Sequence, residues 1–535
     1  MAGQPASVQV ELELMRTLAD IPRRHARDRP QSIALVFEGR ETTYAELERH
    51  SNKLANGLMS AHVRPGERIA YIGKNCDRYF EVLFGAAKVG AVLVPIGWRL
   101  AAAEAAAILA DCEARIVFVG PEGFAQAESA LALRPNTAVV IAVEDEPHSG
   151  ASAYEVWREA VHDNETKPAV RPHDVVLQLY TSGTTGRPKG VMLTHENMLA
   201  KQRDAARAQL AWHHWTPEDI GLVAMPMAHI SGSLWGIIVL LFGAKAIVAR
   251  AFDPLTVLDF IERDRVSKML IVPAALQIII RQPRSREVDY RYLKYILYGA
   301  SPIPTNLLRE CIEVFGCAFC QQYGLTETTG TIVYLPPEDH DLEGNPKMRA
   351  AGRPMPGVQL KILDAAGVEQ PTGQVGEIVT RSSSNMAGYW HRSEETQATL
   401  NVEGWLRTGD AGYLDEDGYL YIHDRVKDII ISGGENIYPA EVENAIYGHA
   451  DVADVAVIGV PDEKWGEAVK AVIILRPGAV RKPDEIIAHA RARIAAFKVP
   501  KSIDFVDDLP RNASGKVLRR ELRAPYWAGR VRNVN

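Results

Sequence analysis

The residues from Leu179 to His195, LYTSGTTGRPKGVMLTH, hold three glycines, six hydroxyl-bearing side chains and two cations. The preceding VVLQLYT is a near-continuous apolar strand, and THENMLAKQRDAARAQL has helical spacing with Thr194 as its start. Gly183 and Gly186 let backbone N–H groups turn toward one centre. Ser182, Thr184 and Thr185 add hydroxyl donors, while Arg187 and Lys189 add charge. Such a nest suits a polyphosphate. It is not a Walker loop, which needs Gly, four residues, then Gly-Lys-Ser/Thr. Counted from Gly183, Pro188 stands where the second glycine belongs, and Gly190 follows Lys189.

Five other stretches concentrate glycine with polar or ionisable residues: YGASPIP from Tyr298, QQYGLTE from Gln321, GWLRTGD from Gly404, DRVKDIIISGGENIYPAEVE from Asp424 and PRNASGKVLRREL from Pro510. With the opening stretch, in this order, they closely resemble the signatures of the adenylate-forming superfamily of acyl-CoA synthetases, peptide-synthetase adenylation domains and luciferases. The resemblance covers nearly the whole chain. It implies an ATP- and Mg²⁺-dependent enzyme that joins a carboxylate to AMP, releases pyrophosphate and passes the acyl group to a thiol. Two anions must meet when the carboxylate attacks the α-phosphorus, so such catalysis is mostly neutralisation and alignment.

The resemblance also implies roles. Thr181, Ser182, Gly183, Thr184, Thr185 and Gly186, with Lys189, would hold the β- and γ-phosphates. Thr326 would sit by the α-phosphate, and Glu327 would hold Mg²⁺, an ion that favours oxygen ligands. Tyr323 would lie on the adenine, with Gly299, Ala300 and Ser301 along its other face and Gln322 and Gly324 beside it. Asp410 would accept both ribose hydroxyls, as an ionised carboxylate can, and Arg425 would reach the same ribose. Lys516 would be the catalytic lysine bridging carboxylate and α-phosphate. It would arrive and leave as a small C-terminal domain turns about a hinge at Lys427, and Ser432, Gly433, Gly434 and Glu435 would then form the thiol tunnel.

For the acid, the resemblance points to MAHISGSLWG (Met227 to Gly236), to YGA and to the residues after YGLTE, with His229, Ile230, Ser233, Leu234, Gly324 and Leu325 as pocket residues. No aspartate stands there to pair an α-ammonium, whose uncompensated burial would be expensive. An apolar acid is expected: fatty, aromatic or alicyclic. Trp465, Phe497 and Lys501 are the expected contacts to the nucleotide of CoA, stacking and pairing with a phosphorylated adenine. Val499 departs from the chlorobenzoate-ligase type, which carries arginine there; Lys498 could compensate. The alternatives are a carrier-protein phosphopantetheine as acceptor, a luciferase-like oxygenase, and a nucleotide-binding protein without activity.

The elements that must position these residues follow from periodicity. TTYAELERHSNKLANGLMSA has helical spacing, with Thr43 and Glu46 placed as a capping box. RIAYIGKN, AVLVPIG, ARIVFVG, TAVVIAV, AKAIVAR, KMLIVPA and KYILYGA read as strands between helices, which predicts parallel sheets covered by helices. After about residue 350, VQLKILD, GEIVTRS and GYLYIHD predict a small β-rich subdomain. The fold class expected is therefore α/β. Residues 1–424 would form a large domain of stacked, mostly parallel sheets with helices, including the β-rich part at about 350–424. Residues 425–535 would form a small mobile α+β domain.

Composition bounds the rest. A chain of 535 residues exceeds one core. Its net charge of -7 argues against general nucleic-acid binding. LWGIIVLLFGAKAIV from Leu234 is shorter than the roughly 20 apolar residues of a membrane span, so a buried element is expected rather than an integral membrane segment. The acidic start MAGQPASVQVELELMRTLAD lacks the apolar run of a secretory signal. Five cysteines, including the Cys317–Cys320 C-x-x-C, read as buried free thiols of a cytoplasmic protein. A small carboxylic acid is the expected partner, with a homodimer possible.

Overall fold

The computed structural model describes residues 12–132, 139–144, 152–165, 169–182, 188–343, 345–425, 428–433, 435–511 and 517–528, with only the backbone of Ser152, Ser182, Asp424, Arg425 and Asn436. Two large sheets dominate. In one, of eight strands, Arg68–Gly73 lies between Val92–Gly97 and Ile116–Val119, all parallel. At its far side Val175–Ser182 turns back antiparallel into Pro188–Thr194. The register pairs Thr181 with Lys189 and Ser182 with Pro188, which sets the two flanks of the glycine-rich segment side by side.

The second sheet has nine strands. Its parallel centre includes Lys268–Ile271, Tyr295–Gly299 and Ala318–Leu325, and Gly330–Leu335 closes one side antiparallel. The inner strands KMLI and YILYG are largely apolar because both faces are covered. Parallel register sets Gly299 beside Gln322, which brings two separate sequence motifs together. Gly299 has no room for a side chain: a Cβ there would lie 2.0 Å from the Gln322 carbonyl oxygen.

Helices pack on both sheets and supply the main core, in which Leu54, Phe80 and Leu240 have no exposure. The Tyr44–Ser60 helix starts with the expected capping box, Thr43 and Glu46 satisfying each other's backbone N–H groups, a device worth about 1 kcal/mol. The apolar LWGIIVLL run lies in the Ile230–Leu241 helix, most of it buried. A helix apolar all round belongs inside a protein. Among the described residues no helix is long and apolar enough to cross a membrane.

A four-stranded antiparallel sheet follows, from Gln359–Leu363 to Leu420–Arg425. Its last two strands pair Asp410 with Arg425 across the ladder. From Ile430 onward five strands form a separate sheet with its own core of Ile430, Val442, Val457 and Ile473. Gln277 reaches this part, its Nε2 donating to the Tyr447 hydroxyl at 3.0 Å. All five cysteines are free, Cys317 half-buried and the others buried. Burial pushes the Cys76 thiol up to about 12. The one metal-like cluster among the described residues, Cys76, Asp77 and Glu144, already has Arg40 on Asp77 and Arg250 on Glu144.

Candidate active site

Two cavities meet at the strand ends of the nine-stranded sheet. The larger, about 1760 Å³ and partly open to solvent, is a cleft lined by Ser301, Tyr323, Leu325 and Asp410, with Arg511, Val517 and Arg519 from the C-terminal part. The other, about 940 Å³, is lined by Ile230, Leu234, Trp235, Leu270 and Leu297 among others. Val272, Ala300, Gln322 and Gly324 line both. Ala300 holds φ at +68°, a left-handed conformation that costs a non-glycine residue roughly 1–3 kcal/mol. That strain lies on the shared wall.

In the cleft the Tyr323 hydroxyl donates to Asp410 Oδ2 at 2.7 Å, and Asp410 is only 6% exposed. The cationic wall opposite is held by its own carboxylates. Arg519 Nη2 donates to both Glu443 oxygens, at 2.9 and 2.7 Å, and Arg511 pairs with Asp454. Arg511 and Val517 flank the segment that contains Lys516.

Thr326 and Glu327 stand in the short Thr326–Thr328 turn after the Ala318–Leu325 strand. Tyr389 donates its hydroxyl to Glu327 Oε1 at 3.0 Å, and Oε2 has no hydrogen bond among the described residues. That open carboxylate oxygen is a fitting ligand for Mg²⁺. Lys189, expected on phosphate, pairs here with Glu395 and lies 5.1 Å from the Tyr389 ring centroid. The four residues Gly183, Thr184, Thr185 and Gly186, together with Lys427, Gly434 and Lys516, lie outside the described residues, as do the side chains of Ser182 and Arg425.

Part of the expected acid pocket is corrected. Ser231 lines the cavity and Ser233 does not. Ser233 is fully buried, its hydroxyl 2.6 Å from the Tyr79 hydroxyl and donating to the Met227 carbonyl at 2.6 Å. Leu325 lines the cleft instead of the acid cavity. His229 lies outside both linings; it caps the Ile230–Leu241 helix, burial lowers its pKa, and its Nε2 has no partner among the described residues.

The sequence reading missed the far wall: Lys201, Gln202, Trp212, His213 and Trp215. Lys201 is buried, and its ammonium donates to the carbonyls of Thr328, Thr329 and Thr331 at 2.8, 2.8 and 2.7 Å. Burial lowers its pKa to about 7, while three carbonyl acceptors favour the charged form. This lysine ties the helix after the glycine-rich loop to the turn that carries Glu327.

On the C-terminal sheet Gly433 sits under Trp465. Its N–H donates to the Trp465 carbonyl at 2.8 Å. Its φ is +63°, and a Cβ would come within 2.6 Å of the indole. The ladder pairs Ser432 with both Glu435 and Gly466. Trp465 is 41% and Phe497 46% exposed, and the ammonium groups of Lys464 and Lys501 each lie 4.7 Å from the Trp465 ring. Lys498 is not free to replace the missing arginine, because it bonds both Glu441 oxygens at 2.7 and 2.8 Å. Val499 is buried.

A polar cleft that shares one wall with an apolar cavity suits an adenylating enzyme. Residues 22–390 match the AMP-binding enzyme family and residues 441–516 the AMP-binding enzyme C-terminal domain, and the chain belongs to this adenylate-forming family. It is 42% identical to the fatty acid–[acyl-carrier-protein] ligase ScoC of Streptomyces coeruleorubidus, over 97% of this chain and 98% of that one. It is 40% identical to a feruloyl-CoA synthase of Amycolatopsis sp, over 95% and 99%. Among solved structures, ATP-bound MatB from Rhodopseudomonas palustris superposes with a TM-score of 0.85 at 29% identity, covering 95% of this chain and 99% of that one.

Proposed function

We propose that this protein is an ATP-dependent acid–CoA ligase acting on an apolar, preferably aromatic, acid. A carboxylate oxygen attacks the α-phosphorus of ATP, pyrophosphate leaves, and the CoA thiolate then attacks the acyl carbon and displaces AMP. The observation that carries this reading is the shared wall of Val272, Ala300, Gln322 and Gly324. An acid in the apolar cavity and a nucleotide in the cleft meet there, carboxyl to phosphate.

Tyr323 and Asp410 would hold the adenosine, and Glu327 with Thr181 and the glycine-rich loop the phosphates. Mg²⁺ on Glu327 supplies charge neutralisation of the phosphates when bound. Lys516 would bring the cation that lets the two anions meet. The indoles of Trp212, Trp215 and Trp235 favour a flat ring in the cavity. The Trp465 ring, with the Lys464 and Lys501 ammonium groups each 4.7 Å from it, suits a phosphorylated adenine.

Purified protein with ATP, Mg²⁺, CoA and a panel of aryl and fatty acids should yield pyrophosphate, AMP and the thioester, read by mass spectrometry. No thioester with any acid would defeat the reading. The likeness to ScoC favours a second acceptor, a carrier-protein phosphopantetheine. A loaded carrier formed in preference to acyl-CoA, with equal acceptor concentrations, would select that reading instead.

A further inference from the structure

The lining of the acid cavity includes Leu270, Leu297 and Gly324 from three adjacent parallel strands. Val272, just past the Lys268–Ile271 strand, belongs to the wall shared with the nucleotide cleft. Lys268, that strand's first residue, holds its ammonium 4.4 Å from the ring of Trp215, which also lines the cavity. At 3.3 Å per residue the Cα atoms of Lys268 and Val272 lie about 13 Å apart. Phe242 stacks on Trp215 at 6.4 Å, and the His213 ring meets Phe242 edge-on at 5.4 Å. His213 therefore belongs with Trp215 to the end of the lining away from the shared wall.

At this end Gln202 is 4% exposed, and its Oε1 lies 2.7 Å from His213 Nε2. An amide oxygen only accepts, so the ring nitrogen carries the hydrogen. Burial keeps the imidazole neutral, with its pKa lowered to about 3. In this arrangement the ring anchors the amide through its oxygen, its own Nδ1 having no partner among the described residues. The Gln202 amide nitrogen makes no hydrogen bond among the described residues, although Gln202 lines the cavity. An unpaired donor on the cavity wall disfavours a purely hydrocarbon occupant.

We propose that Gln202 is a specificity-determining residue whose amide N–H, oriented by His213, donates to an oxygen at the end of the acid remote from its carboxyl. The preferred substrates are acids with a hydroxyl, methoxyl or carbonyl oxygen at that end. This deepens the ligase reading and rests on it for the identity of the cavity.

The test compares matched acids: 4-hydroxycinnamate with cinnamate, 4-methoxyphenylacetate with phenylacetate, and 8-hydroxyoctanoate with octanoate. ATP–pyrophosphate exchange gives kcat/KM for each, and calorimetric titration gives binding without turnover. The oxygenated member of at least one pair should win by roughly 10- to 100-fold. Gln202→Met should bring that ratio close to one, whatever the absolute rates. His213→Phe should lower it, and His213→Gln, which keeps a donor, should restore most of it. Equal use and equal binding within every pair, or a preference that survives Gln202→Met, would overturn the proposal. A binding preference without any pyrophosphate exchange would overturn the ligase reading and leave the assignment of Gln202 standing.

Discussion

The Tyr323 hydroxyl and the Asp410 carboxylate are joined by a 2.7 Å hydrogen bond across the cleft, from the Ala318–Leu325 strand to the Trp405–Leu414 strand. The bond fixes one carboxylate oxygen before any ligand arrives, which is preorganisation. Asp410→Asn removes the charge that would accept ribose hydroxyls, and kcat/KM for ATP in pyrophosphate exchange should fall about 100-fold. Tyr323→Phe keeps the ring and loses only the fixing bond, so a drop of about 3- to 10-fold is expected. Equal losses in the two variants would mean that the hydroxyl, rather than the carboxylate, is the principal contact.

Glu327 offers one free oxygen because Tyr389 occupies the other. Glu327→Gln should lower adenylation by about 100-fold or more and raise the Mg²⁺ concentration needed for half-maximal rate. Tyr389→Phe should shift the Mg²⁺ dependence far less. An unchanged Mg²⁺ titration in Glu327→Gln would place the metal elsewhere.

Lys201 is the interior anchor of that turn. Lys201→Met leaves three carbonyls without their donor, so a loss of roughly 3 kcal/mol in stability is expected. Because Thr328 and Thr329 adjoin Glu327, the variant should also raise the Mg²⁺ requirement, which a purely global loss of stability would not do. Urea unfolding and a Mg²⁺ titration of the folded fraction check the two effects separately.

Residues of the site differ in how plainly the sequence shows them, and the reason is physical. Strand pattern depends on local alternation, so KYILYGA and GYLYIHD are legible as strands, while their ladder partners around Gln322 and Asp410 lie in glycine-bearing stretches that periodicity does not mark. The capping box at Thr43 and Glu46 is equally local. Lys201 is not legible. A lysine in MLAKQRD reads as a solvated helix charge, and only the distant Thr328–Thr331 carbonyls close over it. Gln202 and His213 meet through the turn after the same helix, which the AWHHW run hints at without saying which ring faces inward. Ser233 failed through helix phase. Two residues separate it from Ser231, enough to turn it from the cavity toward Tyr79.

Three buried imidazoles set an acid limit. His25 and His195 are lowered from 6.5 to about 4 and His213 to about 3, burial being the main cause in each. His195 shows the neutral form directly, since its Nδ1 accepts the Leu18 N–H at 3.0 Å. The unfolded rings take up protons below pH 6.5 while the folded ones do not, so stability falls as pH drops from 6.5 toward 4. By pH 5 each ring should cost about 2 kcal/mol. The urea midpoint should therefore decline steadily between pH 7 and 5, and a flat midpoint across that range would contradict the assignment.

The choice of thiol acceptor turns on Trp465. Its half-exposed ring lies over Gly433 with Lys464 and Lys501 beside it. Stacking a base on such a ring is worth about 1–3 kcal/mol, so Trp465→Ala should raise KM for CoA about 10- to 100-fold. Lys501→Glu should add a repulsion that weakens as salt rises. A carrier-borne phosphopantetheine has no adenine to stack, so its use should respond to Trp465→Ala far less than that of CoA. The measurement is the ratio of thioester formation to pyrophosphate exchange for each acceptor. If the ratio falls equally for both, Trp465 serves the pantetheine path through its packing on Gly433, and the nucleotide of CoA must be held elsewhere.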